Sequence, residues 1–196
     1  LLQADDATKA GKPRLNPAAL LILSVVAVCI YTCDQVSKYL VTQNLPLGES
    51  VPFIGELLQF HFVKNPGAAF SLGSGTTWIF AVIASSVVVF IILFARRIRS
   101  VGWAVVFGML LGGTLGNLTD RLTRSPGFGR GHVVDFLQLY GFPAIFNVAD
   151  IAIVSSMGLF IILTINGVGL DGTRAKRQTS STGNGETDEP AAADPG

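Results

Sequence analysis

The sequence predicts an all-α membrane protein of four spanning helices with a small sheet on one side, and three observations carry that reading. Of its 196 residues, 49% are hydrophobic and only 14% charged, and the mean hydropathy is +0.53. That is too little charge to cover a water-soluble globule of this size. Apolar runs lie at about Leu20 to Leu40, Trp78 to Phe94, Val101 to Leu118 and Phe146 to Ile165, each near the roughly 17–25 residues a helix needs to cross the hydrocarbon. Basic residues punctuate them: Lys9, Lys12 and Arg14 before the first run, Arg96, Arg97 and Arg99 after the second, Arg174, Lys176 and Arg177 after the fourth. By the positive-inside rule those segments and both termini are cytoplasmic, which puts residues 41–77 and 119–145 outside. Arg121, Arg124 and Arg130 in the second outer segment weaken the bias without reversing it.

This divides the chain into a polar N-terminal segment at 1–17, a membrane domain at 18–168 and a polar tail at 169–196. The tail is rich in Gly, Thr, Ser, Asp and Ala and lacks apolar periodicity, so it is expected to be disordered. The first run is too long and too polar at its end for a cleaved signal peptide. Leu1 is not Met, which leaves the native N-terminus open. A net charge of +1, spread over membrane flanks without aromatic interleaving, gives no nucleic-acid footprint. Cys29 and Cys33, one turn apart with no second pair, read as small buried hydrophobes.

In the first helix, Asp34 and Lys38 stand at i and i+4 in the favourable order for an ion pair, with Gln35 alongside. A structural pair and a substrate contact are both open for Lys38. The outer segment then offers Val51 to Ile54 and Leu57 to Val63 around Gly55-Glu56, two short strands and a turn. Leu58, Phe60 and Phe62 share one face and Gln59 and His61 the other, the pattern of a sheet lying on a membrane surface. His61 reads as a solvated bystander in preference to a general base. Pro66 and Gly67 enforce a turn directly after Asn65, which holds that amide on a rigid corner; an ordinary turn Asn is the alternative.

In the third helix, Gly108, Gly112 and Gly116 recur every fourth residue, the spacing that lets helices approach closely in lipid. Asn117, Asp120 and Arg121 share a face at its end, which packing alone does not require. The last outer segment carries Asp135, and the fourth helix is expected to open at Pro143 in its first turn, with Asn147 and Asp150 on one face. Asp150 would then lie roughly 9 Å below the helix start, a costly place for a carboxylate unless it is neutral, paired or in a wet cavity. Facing Asp135, it would form a pair that shares one proton near neutral pH, the state required for aspartyl hydrolysis. The alternative is that each acid caps a loop or pairs with Arg121 or Arg130. No metal-binding His-Glu-x-x-His, Ser-x-x-Lys or Gly-x-Ser-x-Gly motif appears, so neither metal nor cofactor is expected.

Asp34-Gln-Val-Ser-Lys38, Asn65-Pro-Gly-Ala-Ala-Phe-Ser71, Gly112-Gly-Thr-Leu-Gly-Asn-Leu-Thr-Asp-Arg121, Val134-Asp-Phe136 and Phe146-Asn-Val-Ala-Asp150 resemble, in order and position, the motif series of the lipoprotein signal peptidases (signal peptidase II). The resemblance spans about Leu20 to Ile165. It implies four helices with an extracytoplasmic β-cradle, at about 45–76, and a mobile outer loop or helix. The activity implied is that of an aspartic endopeptidase of the bacterial plasma membrane, which cuts prolipoproteins on the amino side of a diacylglyceryl-modified cysteine at the outer membrane interface. Asp135 and Asp150 match the catalytic pair, and Asn65, Asn117, Arg121 and Asn147 match pocket or substrate-binding positions. Asp34, Lys38, Gln35, Gly67, Gly113 and Asp120 match structural support around the pocket. The implied partners are the lipid-modified prolipoprotein, membrane phospholipids and the inhibitor globomycin, without a cofactor. The rival readings are a small transporter, which tends to place its acids near the midplane, and a scaffold that only packs lipid or partner helices.

Overall fold

The computed structural model describes residues 16–67 and 76–174. The basic residues Lys9, Lys12, Arg14, Lys176 and Arg177, the rest of both polar ends and the Ala68 to Ser71 part of the second motif lie outside the described residues.

Four helices are long and apolar enough to cross a membrane. The first, α1, runs Pro17–Asn44: Asn16 caps it, its side chain accepting from Ala18 N at 3.1 Å and Ala19 N at 3.3 Å, and Pro17 occupies a first-turn position that needs no N–H. Then follow α2 at Thr77–Phe94 with a short 3-10 turn at Ala95–Arg97, α3 at Val101–Thr123, and α4 at Val148–Ile165. α3 is the hub, packing against each of the other three. Its glycines explain how. A methyl on Gly112 would fall 2.6 Å from Ala27 O of α1, and one on Gly113 would fall 2.6 Å from Ala149 O of α4, so both neighbours sit at backbone contact distance. Leu21, Val25, Val28, Val82, Val89, Val154 and Ile161 remain exposed on the outer helices, an apolar girdle suited to lipid. Cys29 and Cys33 belong to that girdle and are exposed, not buried as the sequence suggested. In a helix whose outside contacts hydrocarbon, an apolar side chain no longer signals an inward direction.

Beyond the ends of α1 and α3 lies a four-stranded antiparallel sheet of order β1-β2-β3-β4: β1 Ser50–Ile54, β2 Leu58–Asn65, β3 Val133–Leu139 and β4 Ile145–Phe146. Phe62, Val134 and Phe136 pack with Val41 of α1 into a small core that fastens the sheet to the bundle. The register sets Val63 opposite Asp135 and Asn65 opposite Val133.

The sequence disclosed only β1 and β2. Val133 to Phe136 are all buried, so β3 has no alternating polar face to reveal it. β4 was assigned to the start of the fourth helix, but Ile145 and Phe146 pair with Gln138 and Leu137, and α4 begins only after Asn147. Pro143 is therefore outside the helix, and Asp150 sits in the first turn of α4 rather than well below its start. At the other end of the bundle, Leu170 O accepts from Arg99 N and Ser100 N, and Val168 O from Trp103 Nε1, so residues 168–174 close against the α2–α3 connection.

Candidate active site

Asp34, Gln35, Lys38, Asn117, Asp120, Asn147 and Asp150 are joined by hydrogen bonds and ion pairs where α1, α3, β3 and the start of α4 converge. Asp135 enters from β3 and is 2% exposed. Its Oδ2 accepts from Asn65 Nδ2 at 2.8 Å and its Oδ1 from Asn147 Nδ2 at 2.6 Å. Asn65 sits at the end of β2 and is fixed in turn by the Gly67 N–H, which donates to its Oδ1 at 2.8 Å. The rigid corner read from Pro66 and Gly67 is thus present, and its amide bears on Asp135.

Asn147 caps α4. Its Oδ1 accepts from Asp150 N at 3.0 Å, while Asp150 Oδ2 accepts from Asn147 N at 3.1 Å, a reciprocal capping box. Asp150 Oδ1 takes a further bond from Asn117 Nδ2 at 2.8 Å. Every oxygen of both carboxyl groups is therefore an acceptor, and Asn147 touches both acids. Burial pushes the Asp135 carboxyl up to about 6; the bonds from Asn65 and Asn147 pull it down, and the neighbouring Asp150 charge pushes it up.

Asp34, Lys38 and Asp120 are each wholly buried. Lys38 Nζ lies 2.8 Å from Asp34 Oδ2, 2.9 Å from Asp120 Oδ2 and 3.0 Å from Asn117 Oδ1. Asp34 Oδ1 accepts from Ala149 N at 3.0 Å, tying α1 to α4. Gln35 donates to Asp34 Oδ2 and to Gly116 O, both at 3.1 Å. Asp120 also pairs with Arg124 at 2.5 Å and accepts from Val134 N at 3.2 Å, fixing β3 over the end of α3. A methyl on Gly116 would collide with the Asp34 carboxylate.

Arg121 stands with its guanidinium 5.0 Å from the Phe80 ring centroid and adds positive charge felt by Asp135, Asp120 and Asp150. It forms no ion pair with either member of the Asp135–Asp150 couple among the described residues, and neither does Arg130. The Arg-paired alternative for these acids therefore finds no support there. His61 Nδ1 lies 2.8 Å from Gln138 Oε1, and no hydrogen bond joins it to Asp135 or Asp150 among those of the described residues. Among the described residues no His, Cys, Asp or Glu group is arranged to hold a metal.

A cavity of about 480 Å³ opens beside Asp135, lined by Val63 to Pro66, Asp135 and Pro143 to Ile145; Asp150 stands behind Asp135, joined to it through Asn147. Ile145 was not singled out from sequence; its place in β4 signals it only once that strand is known. Two carboxyl groups linked through one asparagine, one of them lining a cavity, can between them activate water and polarise a carbonyl.

The profile of a family described as signal peptidase (SPase) II matches residues 26–166. The chain is 59% identical to the lipoprotein signal peptidase of Leifsonia xyli subsp. xyli over 166 residues, 85% of this chain and 77% of that one. It is 46% identical to the lipoprotein signal peptidase of Streptomyces griseus over 170 residues, covering 87% of this chain and 85% of that one. To the enzyme of that name from Mycobacterium tuberculosis strain H37Rv it is 44% identical over 173 residues, with the same coverage of 87% and 85%. A solved structure titled as a bacterial membrane enzyme superposes with a TM-score of 0.66 at 28% identity, covering 79% of this chain and 98% of that one.

Proposed function

The chain belongs to the signal peptidase II family, aspartic-type peptidases that remove signal peptides from prolipoproteins, and we propose that Asp135 and Asp150 are its catalytic pair. The observation that carries this is Asn147, one residue bonded to both carboxyl groups. The ionised acid takes a proton from water as the water oxygen attacks the scissile carbonyl carbon. The protonated acid gives its proton to the carbonyl oxygen, forming a neutral tetrahedral diol. Collapse breaks the C–N bond: the first acid passes its new proton to the departing amine, and the diol returns a proton to the second. Such a pair works only with one proton between its two carboxyl groups.

The substrate we assign is a prolipoprotein whose cysteine already carries diacylglyceryl, cut on the amino side of that cysteine. A substrate that is part lipid and part helix must arrive from within the bilayer. The placement of the couple at the ends of membrane helices, beneath a sheet, supports a site at the interface. The Arg96, Arg97 and Arg99 cluster lies at the opposite ends of the helices, which supports cytoplasmic termini and an extracytoplasmic site in the bacterial plasma membrane. The sheet would then be the cradle over the substrate, in contact with phospholipid. Asn65, Asn117, Arg121 and Asn147 would meet substrate or shape its pocket, with Asp34, Gln35, Lys38, Gly67, Gly113 and Asp120 holding them.

The test is lipid dependence. Purified protein in detergent should cut a diacylglyceryl-modified lipobox peptide, stop on addition of globomycin, and leave the unmodified peptide intact. Equal cutting of both peptides would remove the lipid from the recognition.

A further inference from the structure

Lys38 is wholly buried at the end of α1, and the hydrolysis described above makes no use of it. We propose that Lys38 is a positioning residue which, acting through Asn117, sets Asp150 as the base of the pair and leaves the shared proton on Asp135. This rests on the reading that Asp135 and Asp150 are the catalytic pair.

An ammonium group has three protons and no acceptor. Two go to the carboxylates of Asp34 and Asp120, at 2.8 and 2.9 Å, and the third to a neutral amide oxygen, Asn117 Oδ1, at 3.0 Å. That oxygen also accepts from Asn147 Nδ2 at 3.1 Å. Both neighbours on that side only donate, so the Asn117 amide has one orientation: oxygen toward Lys38, nitrogen toward Asp150 Oδ1, 2.8 Å away. A donor fixed on a carboxylate favours its charged form. Polarisation of the same amide by a buried cation strengthens that bond in series. The second oxygen of Asp150 takes the Asn147 backbone N–H in the first turn of α4, where the helix terminus also favours negative charge.

Asp135 is held differently. Its two donors are the amides of Asn65 and Asn147, whose own oxygens rest on the neutral backbone N–H groups of Gly67 and Asp150. The Lys38 charge reaches Asp135 across space, without an amide oxygen of either donor resting on the ammonium in these contacts. Asp135 is also in a strand at 2% exposure, away from a helix terminus. The charged groups around the site are Asp34 and Lys38 from α1, Lys64 from β2, Asp120, Arg121 and Arg124 from α3, Asp135 from β3 and Asp150 from α4.

The competing account gives Lys38 only the task of balancing Asp34 and Asp120. Lys38→Met alone would leave the buried Asp34 carboxylate without its cation and is expected to fold poorly. The informative comparison is therefore Asp34→Asn against Asp34→Asn/Lys38→Met. The double variant removes opposite charges together and leaves Asp120 with Arg124 and the Val134 N–H.

Cleavage of the diacylglyceryl-modified peptide is followed across pH for both, beside the native chain, Asp135→Asn and Asp150→Asn. Relative to Asp34→Asn, the double variant should lose about tenfold or more in kcat, keep KM within about twofold, and show its acidic limb at higher pH. Matching kcat and matching limbs would overturn the proposal. So would a double variant that does not fold where Asp34→Asn does, since that assigns Lys38 to structure alone. Residual cutting by Asp135→Asn or Asp150→Asn would instead overturn the catalytic pair itself, which keeps the two failures apart.

Discussion

Asn147 Nδ2 donates to Asp135 Oδ1 at 2.6 Å from the residue that caps the helix presenting Asp150. One side chain therefore sets both the start of α4 and the relation between the two acids. Removing it as Asn147→Ala should cost about 1 kcal/mol through the lost cap and lower kcat sharply as the couple separates. Asn147→Ser restores an oxygen for the cap but no Nδ2 donor. Thermal unfolding in detergent should recover with Ser while peptide cleavage does not; recovery of both would reduce Asn147 to a cap.

Asp135 gives the fold a pH dependence of definite sign. Its carboxyl is raised from 3.8 to about 6 by burial, so between those values the folded chain binds more protons than the unfolded one. The stabilisation from its neutral form is complete below about pH 4 and is lost as pH rises through 6, a loss of about 3 kcal/mol at most. The native thermal midpoint should fall over that window relative to Asp135→Asn, which has no proton to lose there. Parallel profiles for the two would contradict the burial argument.

Gly113 marks the closest approach of α3 to α4, with Ala149 O and Ile153 Cγ1 at 2.6 and 2.9 Å from the methyl that alanine would bring. Gly113→Ala should push α4 outward, destabilise by about 1–3 kcal/mol and reduce kcat, because Asp150 follows Ala149 on that helix. A variant as stable and active as the native chain would mean that α4 is free to shift.

Gly67 has φ of +101°, and an alanine methyl there would stand 2.5 Å from the Phe80 ring on which Arg121 rests. Gly67→Ala should therefore displace both Asn65 and Arg121. Cleavage kinetics should show a lowered kcat/KM, while Gly48→Ala, whose glycine also has positive φ but no neighbour within 4 Å, should change it little.

The helices and their order were legible because apolar runs of spanning length between basic clusters have few other meanings. The acids were legible as a group, since ionisable residues at the ends of membrane helices need partners. What sequence left hidden was the means of joining them. β3 is buried on both faces and β4 is two residues long, so neither carries a periodic signal. Without β4, the apolar Ile145 and Phe146 extend the fourth helix backward and bury Asp150 too deeply. Asp34 and Lys38 were visible as a pair, but not the third bond to Asn117, which joins residues 79 positions apart.

The most direct test of the account is cleavage of a diacylglyceryl-modified prolipoprotein peptide by the native chain, Asp135→Asn and Asp150→Asn, each purified in detergent and checked for folding and for substrate binding. The account predicts that the native chain cuts before the lipidated cysteine and that both variants bind the peptide without cutting it. Sustained cutting by either folded variant would contradict it and move the chemistry away from this pair.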